Sequence, residues 1–69
     1  MSLSPEEIRK MSKEEREKLL RELRIELIKL RTQARVGTLR NIGRLRVVRK
    51  NIARVLTIMR EEELGGKQG

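Results

Sequence analysis

The chain contains no cysteine, no histidine and no aspartate, and it has no phenylalanine, tyrosine or tryptophan. Without cysteine there is no disulfide framework. Without cysteine and histidine the usual zinc ligands are also missing. Most general bases and nucleophiles are absent too, and the serines Ser2, Ser4 and Ser12 crowd near the N-terminus with no base to activate them. The chain therefore reads as no enzyme, with no metal, no cofactor and no small-molecule substrate. The lack of aromatic rings removes the stacking platforms of the common single-strand and RRM-type RNA readers. Apolar runs never exceed two residues, so no segment spans a membrane and no signal-peptide core is present. A cytoplasmic address is the default expectation.

Charge is abundant: 41% of the 69 residues are charged and the formal net charge is +8. A chain this small rarely builds a core worth more than about 3–5 kcal/mol and usually needs a staple. The staple expected here is a partner, and the charge says that the partner is anionic. Charge is also unevenly placed. Residues 1–30 hold eight basic and seven acidic side chains. Residues 31–60 hold nine basic and no acidic ones: Arg31, Arg35, Arg40, Arg44, Arg46, Arg49, Lys50, Arg54 and Arg60. Residues 61–69 are net acidic through Glu61, Glu62 and Glu63. A merely soluble surface would intersperse the two signs.

Local signals predict an all-α fold. Ser4-Pro5-Glu6-Glu7 is a helix start, with a serine cap and proline in the first turn, and it drives a short helix over about 5–10. Ser12-Lys13-Glu14-Glu15 repeats the capping box and opens a long helix over about 13–36, stopped by Gly37. After a turn at 37–41, capped by Asn41, a second long helix runs over about 42–63. A flexible tail is expected from Leu64 to Gly69, and Gly43 is a weak point just inside that helix. Leu20, Leu23, Leu27, Leu30 and Ala34 step by 3 and 4, as do Leu45, Val48, Ile52, Val55 and Met59. The two long helices are expected to fold back as an antiparallel hairpin that buries both rows, preceded by the short helix, in one domain over 1–69.

At about 100° per residue, Leu45, Val48, Ile52, Val55, Leu56 and Met59 fall within roughly 100° of arc. Arg46, Arg49, Lys50, Arg54, Thr57 and Arg60, with the small Ala53 among them, occupy roughly 140° on the other side. An ordinary solvated face would carry glutamates at i,i+4 to these cations, and this helix has none before Glu61. Arginine outnumbers lysine eight to one in residues 31–60, which favours planar recognition of phosphate. Asn51, Thr57 and Gln33 are the side chains suited to reading base edges. A second surface is expected on the first long helix. Ile25, Ile28 and Thr32, continued by Val36, lie away from the leucine row where a two-helix hairpin cannot bury them. This stripe is a candidate protein–protein contact.

The stretch Leu30-Arg31-Thr32-Gln33-Ala34, then Gly37, then Val48-Arg49-Lys50-Asn51-Ile52-Ala53-Arg54-Val55-Leu56-Thr57 resembles the large-subunit ribosomal protein family numbered twenty-nine in the universal series (thirty-five in eukaryotes). The resemblance covers roughly residues 3–60. It implies a helical hairpin bound to large-subunit rRNA at the rim of the peptide exit tunnel, beside the large-subunit protein numbered twenty-three, with no enzymatic activity. Arg35, Arg40, Arg46, Arg49, Lys50, Arg54 and Thr57 are then the candidate RNA-binding residues, and Ile25, Ile28 and Thr32 the candidate contact with the neighbouring protein. The chain departs from the family at Ile42-Gly43, where proline often follows the asparagine, and at Val47, a position commonly acidic. The serine-capped N-terminus, the dense charge and the scarcity of Asn, Gln and Cys point to an archaeal member from a hot environment. The competing classes are a small basic DNA-binding or packaging module and a helical protein–protein adaptor.

Overall fold

A computed structural model describes residues 3–65, which form three helices: α1 over Pro5–Arg9, α2 over Lys13–Val36 and α3 over Ile42–Gly65. Each start follows from its cap. The Ser4 hydroxyl accepts from the Glu7 backbone N–H at 3.2 Å, and Pro5 opens α1. At α2 the Ser12 hydroxyl accepts from the Glu15 N–H, and Glu15 Oε1 accepts in return from the Ser12 N–H at 2.9 Å. That backbone hydrogen bond holds the Glu15 carboxyl below its ordinary pKa.

Gly37 ends α2 in the left-handed conformation, φ 78°. Its N–H donates to the Ala34 carbonyl, and the Thr38 N–H donates to the Gln33 carbonyl at 2.9 Å. These two bonds make a Schellman closure. Asn41 then caps α3, its side-chain oxygen accepting from the Arg44 N–H at 3.2 Å. A Cβ on Gly43 would sit 3.1 Å from that same oxygen, so glycine here makes room for the cap side chain. α3 continues to Gly65, past the expected end at Glu63 and into the expected tail. The remainder of the expected tail, 66–69, lies outside the described residues.

α2 and α3 pack together along their length, as the periodicity predicts, and α1 packs on α3. The core is Ile8, Leu20, Leu23, Val48, Val55 and Ile58, flanked by half-buried Leu3, Leu19, Leu27, Leu30, Ile52 and Met59. This third helix changes which side of α3 is inside. The most buried residues of α3 are Val48, Asn51, Val55 and Ile58, a row turned by roughly 70° from the expected one. Leu56, placed on the apolar arc by two-helix reasoning, is 41% exposed. Ile58, left off that arc, is buried. Both corrections have one cause: α3 divides its apolar surface between α2 and α1. At the far end Ala34 is exposed although it continues the leucine row, because no third element covers the turn.

A candidate nucleic-acid interface

The exposed side of α3 opposite its core carries Arg46, Arg49, Lys50, Ala53, Thr57 and Arg60. They share one face of the helix: Arg46, Arg49 and Lys50 cluster within its first turns, the uncharged Ala53 and Thr57 continue the line, and Arg60 stands alone nearly three turns after Lys50. Among the described residues, Arg46, Arg49, Lys50 and Arg60 take part in no ion pair. Arg35, in the last turn of α2, and Arg40, in the connecting turn, are exposed at the hairpin's tip. The Thr57 hydroxyl donates to the Ala53 carbonyl at 2.8 Å, which leaves its oxygen free to accept.

Two of the sequence-derived candidates are engaged within the fold. Asn51, read as a possible base reader, is only 3% exposed, and its Oδ1 accepts from the Leu3 backbone N–H at 2.9 Å. Arg54 is half-buried at the edge of the ridge, and its Nη1 donates to the Leu3 carbonyl at 3.0 Å. Both side chains hold the segment that leads into α1. Nor is the basic helix wholly without acidic partners before Glu61. Arg44 reaches across the hairpin to Glu26, with Nε to Oε2 at 2.6 Å and Nη2 to Oε1 at 2.8 Å. This fork lowers the Glu26 pKa and raises that of Arg44, in each case chiefly through the side-chain hydrogen bonds.

The residue that sequence reasoning missed is Arg16. It is 4% exposed, and its guanidinium donates from Nε to the Ile8 carbonyl at 2.8 Å and from Nη2 to the Arg9 carbonyl at 2.7 Å. Nη1 pairs with Glu62. One side chain thus satisfies the Arg9 carbonyl, adds a second donor to that of Ile8 beside the Met11 N–H, and ties the end of α1 to the last turns of α3. Arg9 pairs with Glu61 at 3.3 Å beside it. A signal for this existed: Arg16 stands four residues before Leu20, on the apolar row itself.

The second predicted surface is exposed. Ile25 is 54% and Ile28 63% accessible, and Val36 is exposed beyond them. Thr32 is exposed on the same row, with its hydroxyl donating to the Ile28 carbonyl. No helix among the described residues is long and apolar enough to cross a membrane.

The sequence model of the family described as Ribosomal L29 protein matches residues 6–61, a span from the middle of α1 to the acidic end of α3. A protein of Staphylothermus marinus is 68% identical over 63 residues, covering 91% of this chain and 94% of its own length. One of Aeropyrum pernix is 56% identical, covering 88% and 86% respectively. One of Streptomyces coelicolor is 54% identical, covering 86% and 80%. Each of the three bears the name large ribosomal subunit protein uL29. On the family match and these identities, the chain belongs to the Ribosomal L29 protein family.

Proposed function

We propose that this chain is a structural, non-catalytic constituent of the large ribosomal subunit, working in the cytoplasm. In this reading it binds large-subunit rRNA through the exposed ridge of α3, near the peptide exit tunnel. The observation that carries the reading is the ridge itself. Arg46, Arg49, Lys50 and Arg60 are exposed and unneutralised, an arrangement that repels itself on a free helix and is relieved by a phosphate backbone. Arg35 and Arg40 reach phosphates from the tip, Thr57 accepts a hydrogen bond from a sugar hydroxyl, and Arg54 borders the contact. The sequence relationship to proteins named for the large subunit supports the assembly. The test is filter binding of the full chain to protein-free large-subunit rRNA over a range of salt. Replacing Arg46, Arg49 and Lys50 together by Gln is expected to weaken binding and to flatten the log–log salt slope by roughly 2–3, at about 0.7–0.9 for each phosphate no longer neutralised. An unchanged slope removes the ridge from the interface.

The stripe Ile25, Ile28, Thr32 faces away from the core and is, in this reading, the contact with a neighbouring ribosomal protein, the one numbered twenty-three. Exposed β-branched residues in a row are poor choices for a solvated helix, and α2 gains from covering them. Ile25→Glu with Ile28→Glu is expected to leave rRNA binding intact and to weaken capture of the purified neighbour on the rRNA complex. Capture at wild-type strength overturns the assignment.

A further inference from the structure

Beside the ridge, a groove of about 240 Å³ runs between α1 and α3. Pro5 of α1 and Ala53, Thr57 and Ile58 of α3 line it, while Arg9, Arg54 and Glu61 stand at its rims. The chain holds its own long side chains out of this space. Arg9 is drawn aside to Glu61 at 3.3 Å, and Arg54 is drawn to the Leu3 carbonyl at 3.0 Å. What remains along the bottom is the Pro5 ring, the Ala53 methyl group and the Thr57 side chain, over the buried Ile58. Lys50 lies one helical turn before Ala53 and Arg54, with Arg46 one turn before that, so the ridge of cations leads directly into the groove.

We infer that this groove takes one unpaired nucleotide of the rRNA, with its base laid on the Pro5–Ala53 floor above the buried Ile58 and its phosphate toward Lys50. This rests on the rRNA-binding reading above. The chemistry selects a base and not a bare phosphate, because the floor is apolar and the Glu61 carboxylate stands at the end away from Lys50. It selects an unpaired base because a base within a duplex has both faces covered by its neighbours and has none to offer the floor. The chain has no aromatic ring for stacking, so the base rests on apolar side chains, with Arg9 and Arg54 bounding the groove at its rims. The contact gives the small residues Ala53 and Thr57 a role on a face otherwise made of long cations: a larger residue at 53 would occupy the base's place.

Filling the groove tests this. Ala53→Leu places a good helix former at an exposed position, so helix content is expected to hold, and Ala53→Ser is the size control. The full chain and both variants are bound to protein-free large-subunit rRNA, and base-selective chemical probing is read at nucleotide resolution. The wild-type and Ala53→Ser chains are expected to protect an unpaired base that Ala53→Leu leaves reactive. Ala53→Leu is also expected to bind severalfold more weakly, with an unchanged salt slope because every cation that meets a phosphate is still in place. Wild-type protection and affinity in Ala53→Leu overturn the groove assignment and leave the ridge standing. A wild-type chain that fails to bind the rRNA, or binds without salt dependence, overturns both.

Discussion

At the end of the hairpin where α1 lies, three helices enclose Ile8 and Ile58, and two ion pairs cross between chain segments more than forty residues apart: Arg9 with Glu61, and Arg16 with Glu62. At the turn end only two helices meet. Ala34, Val36 and Ile42 are exposed there, and the fork of Arg44 on Glu26 ties the helices together. The difference concerns where the acidic residues are used. Glu61 and Glu62 sit beyond the ridge and hold the N-terminal helix, so the exposed cations of the ridge stay open to an outside partner. The clamped end is held by burial and two ion pairs, whereas the turn end, rich in exposed arginine, is held by its backbone caps and the Arg44–Glu26 fork.

The comparison breaks most visibly at Ile8. Its side chain is fully buried, and Ile8→Ala is expected to cost about 2–5 kcal/mol, read as a fall in the midpoint of thermal unfolding followed by circular dichroism. Val36→Ala at the turn end is expected to stay within about 0.5 kcal/mol. Equal losses at the two positions would show that the ends are alike after all.

Arg16→Met comes next. Methionine keeps an apolar stem but leaves the Arg9 carbonyl and the Glu62 carboxylate without the Arg16 donor, and the Ile8 carbonyl with the Met11 N–H in place of two donors. That costs about 1–3 kcal/mol. Hydrogen exchange localises the damage: amides of residues 5–11 are expected to exchange faster while those of residues 20–30 keep their protection. Uniform acceleration along the chain would mean that Arg16 supports the whole fold and not the α1 clamp.

The smallest effect belongs to the turn end. Arg44 lowers the Glu26 pKa through its hydrogen bonds. A carboxyl whose folded pKa is depressed contributes stability above its unfolded pKa and loses it as pH falls through the folded value. Glu26→Gln is therefore expected to cost at most about 1 kcal/mol at neutral pH. The deficit shrinks to nothing in acid and is screened by salt. Melting curves of the variant and wild type at neutral and acidic pH check this, and a deficit that persists in acid excludes the ion pair as its cause.

Local chemistry by itself determined the helices of this chain. Ser4, Ser12, Gly37 and Asn41 act on backbone groups within a few residues of themselves, so their effects are written in short stretches of sequence. The leucine row of α2 and the acid-free run of residues 31–60 were legible for the same reason, since a helix turns spacing directly into a face. Tertiary structure decided what lies across those faces. The docking of α1 turned α3 so that Ile58 went in and Leu56 stayed out; it buried Asn51 against Leu3 and gave Arg54, at the edge of the ridge, a hydrogen bond to the Leu3 carbonyl. It also gave Arg16 a buried role that its position on the apolar row only hinted at. Periodicity reports the angle of a residue about its own helix, but it carries no information about how many neighbours share that helix's surface. Only the packed three-helix arrangement supplied that number.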